Sequence, residues 1–319
     1  MKIKNFTEKN SWIWPLLGVI VLWIAIGAFS GGISLKSLFS GFSLASFILL
    51  LALAQMFVVT SGKGAIDLST VYIMTFAAFV SCTAMQKNIF LGFLVAVVSG
   101  IIFGAINGII NVYLKIPAMI TTLATGYIIY TFVLITASSV TNTSSQAIAK
   151  FINTTHGGIS NLTIICVVIA AILGIVLYKT KYGRQLHAVG QNRNAARYAG
   201  IQVNKVLIIT FAISGAISGF AGVLCASYVG GAFRDMGEAY FLPSIAATFI
   251  GGTLAAGGKS STAGTGAVPY PGSCLQAGTS PQAPDSHQSE GLLPAELPPQ
   301  GAILVLILIA SVNKKAGEK

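Results

Sequence analysis

Long apolar runs alternate with short polar or charged segments along the chain as far as about residue 260. A membrane-spanning helix needs about 20 mostly apolar residues. Uncharged runs of that length, counted between charges and turn residues, predict eight spans before residue 260. They cover residues 12–30, 42–60, 66–85, 89–113, 117–137, 161–178, 205–229 and 239–256. The pattern therefore predicts an all-α, polytopic membrane helix bundle.

The first predicted span resembles a signal peptide at its ends, because lysines precede it and Ala28-Phe29-Ser30 loosely matches a cleavage site. Its apolar stretch is too long for a signal peptide. We therefore interpret it as a retained first helix.

The composition agrees with a membrane protein, since 54% of the 319 residues are hydrophobic and only 8% are charged. Soluble domains are typically about a quarter charged. Soluble domains, disordered chains, collagens and disulfide scaffolds are therefore excluded. The cysteines Cys82, Cys166, Cys225 and Cys274 lack the spacing of a metal or redox site. The first three lie in apolar runs and are expected to be small buried hydrophobic side chains.

The net charge is +11, and the basic residues lie mainly in the loops on one side of the predicted membrane. With a cytoplasmic N-terminus, the inside segments carry twelve basic residues: Lys2, Lys4, Lys9, Lys63, Lys115, Lys179, Lys181, Arg184, Arg193, Arg197, Lys205 and Lys259. The outside segments carry four, which are Lys36, Lys87, Lys150 and Arg234. This positive-inside bias predicts the orientation, and no nucleic-acid partner is needed to explain the charge.

Two glycine patterns predict close helix packing. Gly100, Gly104 and Gly108 recur every four residues in the fourth predicted span, and Gly215 and Gly219 repeat that spacing in the seventh. Small residues at this spacing let the backbones of membrane helices approach closely.

A search for catalytic chemistry finds no HExxH, no GxSxG and no pair of carboxylates on one helix face. Residues 252–260 resemble a phosphate-binding loop, but Thr253 stands where the first glycine should be. No catalytic residue, metal site or cofactor is predicted, and the chain is expected not to be an enzyme. An intramembrane enzyme would need a convergent acid, base or metal set.

Several polar residues lie within the predicted spans: Gln55, Asn107, Thr121, Thr122 and Ser214. Each costs free energy in hydrocarbon unless it bonds another helix or faces a wet cavity. Two interpretations stay open. Each residue can form an interhelical hydrogen bond, or the set can line a path for an uncharged hydrophilic solute.

The longest inside loop, residues 179–205, predicts a short basic helix outside the membrane. Asn192 is a candidate N-cap, residues 194–198 include good helix formers, and Gly200 is a candidate C-terminal stop. Ala195, Ala196 and Ala199 supply small residues for docking. The alternative is a solvated basic loop.

This loop contains the sequence Ala188-Val-Gly-Gln-Asn-Arg-Asn-Ala-Ala-Arg-Tyr-Ala-Gly-Ile201, which strongly resembles the cytoplasmic coupling loop of the permease subunit of ribose-type bacterial ABC sugar importers. Other motifs resemble the same family in the same order: Gly64-Ala-Ile-Asp-Leu-Ser69, Gly104-Ala-Ile-Asn-Gly108, Lys115-Ile-Pro-Ala118, Thr122-Leu123, Ser214-Gly215, Ala221-Gly222, Ile245-Ala-Ala, Gly251-Gly-Thr and Gly257-Gly-Lys259. The resemblance covers roughly residues 40–265. A glycine usual after Ser69 is absent, and Gln191 replaces a common second glycine.

The resemblance implies a non-catalytic permease subunit in the bacterial inner membrane. Its implied partners are a second permease copy, a cytoplasmic ATPase subunit and an extracytoplasmic sugar-binding protein. The residues that match the coupling helix are Gly190, Asn192, Ala195, Ala196 and Gly200. Asp67 is expected to cap a helix N-terminus, and Arg234, Asp235 and Glu238 are candidate contacts for the binding protein. The alternative function is a secondary carrier or channel for a small polar solute.

The chain changes character after Thr265, where the family pattern requires two more spans. Residues 266–300 hold seven of the ten prolines and no Lys, Arg, Ile, Phe, Met or Trp. No membrane helix can run through such a segment. We therefore expect a permease domain at 1–265, a Pro-rich segment at 266–300 and a short apolar stretch with a basic tail at 301–319. Our hypothesis is a pair of compensating frameshifts across 266–300.

Overall fold

A computed structural model describes residues 35–139 and 141–268 of the chain. Within them the protein is mostly helical. The α-helices are α1 (Leu35–Thr60), α2 (Thr70–Met85), α3 (Ile89–Tyr113), α4 (Ala118–Ser139), α5 (Gln146–Asn153), α6 (Asn161–Lys179), α7 (Lys181–Gln191), α8 (Arg193–Tyr198), α9 (Val203–Val229), α10 (Phe241–Ile250) and α11 (Thr262–Ala267). A 3-10 turn (Glu238–Tyr240) precedes α10, and strands β1 (Thr155–His156) and β2 (Ile159–Ser160) form an antiparallel hairpin before α6.

Five helices in the described part of the chain are long and apolar enough to cross a membrane: α1, α3, α4, α6 and α9. The helical membrane bundle predicted from the sequence is thereby confirmed. The predicted span 12–30 lies outside the described residues, and the count of eight spans stays a prediction.

Two predicted spans form shorter helices. The predicted span 66–85 begins its helix only at Thr70, and the predicted span 239–256 ends its helix at Ile250. In the first case the missing helical turn is irregular backbone packed inside the protein, as at the buried residues Asp67 and Ser69. At membrane depth such backbone is tolerated only where protein surrounds it. In the second case the helix gives way to turns at the basic end, where Thr253 is buried but Leu254 is 50% exposed.

The centre of the bundle is α1, whose side chains from Phe47 to Val59 are almost all buried. Helices α3, α4 and α6 lie outside it and expose large apolar side chains such as Ile102, Ile128 and Ile175. Exposed apolar side chains along whole helices suit contact with acyl chains or with another membrane protein.

Helices α3 and α9 pack antiparallel through their glycines. A Cβ atom on Gly100 would overlap the carbonyl oxygen of Gly215, and one on Gly104 would overlap that of Phe211. A Cβ atom on Gly219 would likewise meet the backbone of Ala96. The close packing predicted from the glycine spacing is confirmed.

The connecting segments gather at two ends of the bundle. One end, named here the basic end, holds residues 61–64, 114–117, 179–202 and 251–261, which are tied together by bonds such as Gly258 N–H to the Thr60 carbonyl (2.9 Å). The opposite end holds residues 86–88, 141–160 and 230–233, where Gln86 Nε2 donates to the Thr143 carbonyl (3.0 Å) and Thr143 bridges Gly231. The two loop sets match the inside and outside segments assigned from charge.

Three cysteines, Cys82, Cys166 and Cys225, are free and buried, as expected for small hydrophobic side chains. Cys274 and the segments 269–300 and 301–319 lie outside the described residues. Residues 266–268 are described and complete the short helix α11, after which Val268 packs near Ile48 and Ala52.

Candidate functional site

A buried polar network surrounds the irregular segment between α1 and α2. Asp67 is 0% exposed, and its backbone N–H donates to Gln55 Oε1 at 3.1 Å. Gln55 Nε2 in turn donates to the Asp67 carbonyl and to Thr70 Oγ1. On the other side of the segment, the Leu68 N–H donates to Thr122 Oγ1 at 2.9 Å. Side chains from α1 and α4 therefore satisfy backbone groups that have no helix to bond them.

The Asp67 carboxylate accepts hydrogen bonds on both oxygens. Oδ1 accepts from the backbone N–H (3.0 Å) and hydroxyl (2.6 Å) of Ser69, and Oδ2 accepts from the Ser214 hydroxyl of α9 (2.9 Å). Asn107 Nδ2 of α3 donates to the Ser69 oxygen at 2.8 Å, and Thr125 of α4 donates to Asn107 Oδ1. The network thus joins five chain segments, which are α1, α3, α4, α9 and the segment before α2. Only Ser69 and Ser214 bond the carboxylate directly.

The coupling loop folds as two short helices, α7 and α8, outside the long helices. Asn192 caps α8, since its Oδ1 accepts from the backbone N–H groups of Asn194 (3.0 Å) and Ala195 (3.1 Å). Gly200 follows α8 with a φ of +79°, a conformation that favours glycine. The predicted cap, helix and stop are confirmed. Ala196 is buried, whereas Ala195 is exposed and Tyr198 is 92% exposed.

The coupling loop is fixed to the basic end by a glycine junction, defined here as Gly62, Gly190, Gly257 and Gly258. A Cβ atom on Gly190 would overlap the Thr60 carbonyl oxygen and come within 2.5 Å of the Gly258 nitrogen. A Cβ atom on Gly257 would overlap the Cα atom of Gly62. The end of α1, the end of α7 and the 251–261 segment therefore touch through bare backbone.

Polar side chains reinforce this junction. Arg193 donates to the Ser61 carbonyl at 3.4 Å, and Gln191 Nε2 donates to the Gly258 carbonyl at 3.4 Å. Partial burial lowers the pKa of the Arg193 guanidinium, although an arginine remains charged at any physiological pH. A positive charge beside the last carbonyls of α1 is also favourable for the helix dipole.

The three candidate contacts for the binding protein, Arg234, Asp235 and Glu238, are exposed in the segment between α9 and α10. The Tyr130 hydroxyl of α4 donates to Asp235 Oδ1 at 3.2 Å. Among the residues that the structure describes, no group of three or more His, Cys, Asp or Glu side chains is placed to hold a metal ion.

Comparison with known proteins assigns the chain to a family. A family model described as "Branched-chain amino acid transport system / permease component" matches residues 37–281. The chain belongs to this permease family.

Individual relatives agree with that assignment. The chain is 30% identical over 221 residues to a ribose import permease protein of Haemophilus influenzae, covering 68% of each chain. It is 27% identical over 273 residues to an autoinducer 2 import system permease protein of Salmonella typhi, covering 82% of this chain and 76% of that one. A similar protein of Yersinia enterocolitica is 25% identical over 316 residues, covering 96% and 93%. No solved structure matches the chain.

The resemblance to permease subunits of ribose-type importers is therefore confirmed. The family match spans the Asp67 network and the whole coupling loop, and it extends past Thr265 into the Pro-rich segment. The family is one of transport permease subunits, and the chain is a multi-pass membrane protein.

The permease buries all five predicted path residues. Four of them form hydrogen bonds with residues 67–69: Gln55, Asn107, Thr122 and Ser214. These bonds support the interhelical interpretation for these four. Thr121 is buried as well, and its hydroxyl has no hydrogen-bond partner. A role of these residues in lining a path stays a prediction. Asp67 accepts from the N–H of Ser69, the N-cap residue of α2, and not from an N–H within the helix, so the capping role expected for it stays a prediction.

The permease also has contacts between the 251–261 segment and helices α6 and α7 that sequence reasoning missed. His187 Nε2 lies 3.2 Å from the Ser260 hydroxyl, and the Tyr178 hydroxyl donates to the Ser260 carbonyl at 2.9 Å. The segment that resembles a phosphate loop is thus a support for the coupling loop. Its paired glycines, Gly251-Gly252 and Gly257-Gly258, were the available signal, because adjacent glycines favour close backbone approach.

Proposed function

We propose that this permease is the membrane-spanning subunit of an ATP-driven importer for a neutral sugar, ribose or a similar monosaccharide. The similarity to a ribose import permease protein supports the substrate class. The proposed partners are a second permease copy, a cytoplasmic ABC ATPase subunit and an extracytoplasmic sugar-binding protein. The proposed location is the bacterial inner membrane with a cytoplasmic N-terminus.

The coupling loop is the observation that carries this proposal. Helix α8 stands at the basic end with Ala195 and Tyr198 exposed, while buried Ala196 and the glycine junction hold its base. Tyrosine is enriched among the residues that contribute most to protein–protein binding. We assign this surface, with Gly190, Asn192 and Gly200 shaping it, to the groove of the ATPase subunit.

The proposed mechanism transmits ATPase closure through the glycine junction. A displacement of α8 moves Gly190, and Gly190 touches both Thr60 at the end of α1 and Gly258. Because packed elements shift between discrete arrangements rather than deform continuously, the movement is expected to change which end of the bundle is open. The binding protein is proposed to dock at the opposite end, within reach of Arg234, Asp235 and Glu238.

The proposal divides the chain as the sequence suggests, into a permease domain (1–265) with its coupling loop (179–205), a Pro-rich segment (266–300) and a short apolar stretch with a basic tail (301–319). The frameshift hypothesis is tested by translating the DNA for 266–300 in the other two frames. An apolar run in one of them supports the hypothesis. If neither frame encodes such a run, the segment is a genuine Pro-rich extension.

The proposed function is tested by co-purifying the permease with the ATPase encoded beside it. We expect Ala195→Asp to abolish the complex, because a charge would be placed in the docking surface. The matched control is Ala147→Asp, which puts the same charge on an exposed alanine of the short helix α5 at the opposite end. Retained ATPase binding by the Ala195→Asp variant contradicts the proposal. Sugar transport by the purified permease alone would instead support a secondary carrier or channel.

A further inference from the structure

Residues 234–238, which follow α9, pack between α2 and α4 and lie deeper in the bundle than the ends of those helices. Asp235 bonds the Tyr130 hydroxyl of α4, and the Gly237 N–H donates to Thr75 Oγ1 of α2 at 3.2 Å. Tyr130 lies eight residues before Ser138, and Thr75 lies ten residues before Met85. At about 1.5 Å per residue, these contacts are about 12 and 15 Å below the ends of their helices.

Charged side chains are therefore exposed at membrane depth. Arg234, Asp235 and Glu238 all belong to this descending segment. Charges at such depth face a water-filled cavity or the bundle interior rather than acyl chains. An open pocket of about 370 Å³ lies beside Arg234 and Asp235, and Phe79, Ala137, Asn142, Ala232 and Phe233 complete its wall.

Aromatic rings continue the wall from Asp235 toward the middle of the membrane. The ring of Tyr72 lies 5.9 Å, centroid to centroid, from those of Tyr127 and Tyr130. Gly126 makes room for Tyr72, because a Cβ atom there would come within 2.7 Å of the ring. Glu238 is exposed three residues after Asp235 in the same segment.

Tyr127 is the most exposed ring of this wall. It is 59% exposed near the middle of α4, about 14 Å from the first residue of that helix, and its hydroxyl has the Tyr72 hydroxyl as a hydrogen-bonding neighbour. Tyrosine concentrates at membrane–water interfaces rather than in the hydrocarbon core. A tyrosine pair at this depth, one helical turn from the Tyr130 hydroxyl that bonds the exposed Asp235, favours a water-accessible wall over a lipid-facing one.

We propose that Tyr72, Tyr127 and Tyr130, with Asp235 and Glu238 at the outer rim, form a binding site for a neutral polyhydroxylated solute on its way through the permease. The inference rests on the proposed function and names the residues that would contact the sugar. Four of the predicted path residues, Gln55, Asn107, Thr122 and Ser214, use their polar groups in the Asp67 network.

The chemistry of the site suits a monosaccharide. Phenol hydroxyls both donate and accept, and carboxylates accept from sugar hydroxyls. Flat aromatic faces can cover the C–H face of a sugar ring, while Arg234 offsets one of the two carboxylates. The residual charge of −1 disfavours anions. A quaternary ammonium ion is the main competing ligand, because aromatic rings and carboxylates also attract cations.

Thiol labelling of the complete importer in permeabilised cells tests the site. In a Cys274→Ser background, Tyr127→Cys is compared with Ile128→Cys, an adjacent residue of equal exposure (59% and 57%) on a different face of α4. We expect a hydrophilic thiol reagent to label Cys at 127 at least tenfold faster, because only that face contacts water. Equal labelling of the two positions overturns the proposal.

Ligands then identify the occupant. A saturating mixture of ribose, xylose, glucose and galactose is expected to slow labelling at 127 at least about fivefold, and choline is expected to have no effect. Protection by choline alone overturns the proposal. The absence of protection by the sugars, in cells that import one of them, overturns it as well.

A second variant keeps the test valid if Tyr127→Cys fails to fold. Tyr130→Phe retains the ring and removes the hydroxyl that bonds Asp235, so sugar import should fall about fivefold with ATPase binding unchanged. Tyr113→Phe, an exposed tyrosine at the basic end, is the control. Unchanged import by Tyr130→Phe overturns the inference alone. If the unaltered permease neither imports sugar nor binds an ATPase, the proposed function fails and this inference fails with it.

Discussion

At the scale of single residues, the Asp67 carboxylate explains why four polar side chains are tolerated inside apolar helices. Each unsatisfied polar group in hydrocarbon costs several kcal/mol. The buried segment before α2 has backbone groups without helical hydrogen bonds. Gln55 and Thr122 provide hydrogen-bond partners for them. Ser214 and Ser69 then satisfy the carboxylate itself. The network thus joins α1, α3, α4 and α9 through hydrogen bonds.

Ser214→Ala should destabilise the permease by about 1–3 kcal/mol, because it leaves a buried carboxylate oxygen without its donor. The matched control is Ser218→Ala, one turn further along α9. Ser218 is equally buried, but its hydroxyl donates only to the Ser214 carbonyl within the same helix. The thermal unfolding midpoint of each purified variant in detergent measures the difference. Equal shifts for the two variants would contradict the role given to Asp67.

The two residue-level predictions from sequence differed in kind. The Asn192 cap was predictable because a cap acts on backbone groups two and three residues away. The bonds of Gln55 to Asp67 and of Ser214 to Asp67 were not, since they join residues 12 and 147 positions apart. Polarity alone left both bonding and path lining open for these side chains.

At the scale of elements, glycine spacing determines where helix backbones touch directly. Helices α3 and α9 contact through backbone at Gly100, Gly104, Gly215 and Gly219. The same close approach joins α7 to the end of α1 at Gly190. Under the proposed mechanism, we expect the α3–α9 pair and the glycine junction each to move as a rigid unit.

Gly100→Ala should destabilise the fold by about 1–3 kcal/mol, as overpacking usually does. Its Cβ atom would overlap the Gly215 carbonyl oxygen, and neither backbone can move without parting the pair. Gly174→Ala on α6 is the control, because the nearest atom outside its own helix and chain neighbours is Thr262 Cγ2 at 3.4 Å. That variant should be neutral or more stable by up to about 1 kcal/mol, since alanine favours helix. Unfolding midpoints and the yield of monodisperse protein decide between these expectations.

Asn192→Ala should weaken ATPase binding about fivefold, because losing an N-cap costs about 1 kcal/mol and α8 has only six residues to hold its shape. Asn194→Ala is the matched control. Its side chain is exposed on the same helix, and only its backbone N–H takes part in the cap. Titration of ATPase subunit against each variant in detergent gives the two affinities. A loss of affinity equal for both variants would mean that the asparagines act by contact and not by capping.

Element boundaries were predictable where a span is a continuous helix and failed where it is broken. The predicted span 89–113 coincides with α3, because neither polar bonding nor turns interrupt it. The predicted spans 66–85 and 239–256 lose their helix at residues 66–69 and 251–256, where side chains or turns replace helical hydrogen bonds. Hydropathy cannot detect this difference, since both kinds of segment belong to long apolar runs.

At the scale of the whole molecule, charge and packing describe the same two ends. The loops placed inside by their lysines and arginines meet at the glycine junction, and those placed outside meet around Thr143 and Gly231. Sequence alone predicted which loops share a side, because the positive-inside bias acts on every loop. It missed the descent of residues 234–238 between α2 and α4, which depends on tertiary contacts at Thr75 and Tyr130.

The orientation proposed from the positive-inside bias is tested by thiol accessibility in intact cells. In a Cys274→Ser background, Lys150→Cys on α5 should react with a membrane-impermeant thiol reagent, whereas Lys181→Cys on α7 should react only after the membrane is permeabilised. Both lysines are exposed, and each lies on a short helix at a different end of the bundle. The remaining described cysteines, Cys82, Cys166 and Cys225, are buried and give little background. The reverse pattern would place the basic end outside, and the coupling loop could then not meet a cytoplasmic ATPase.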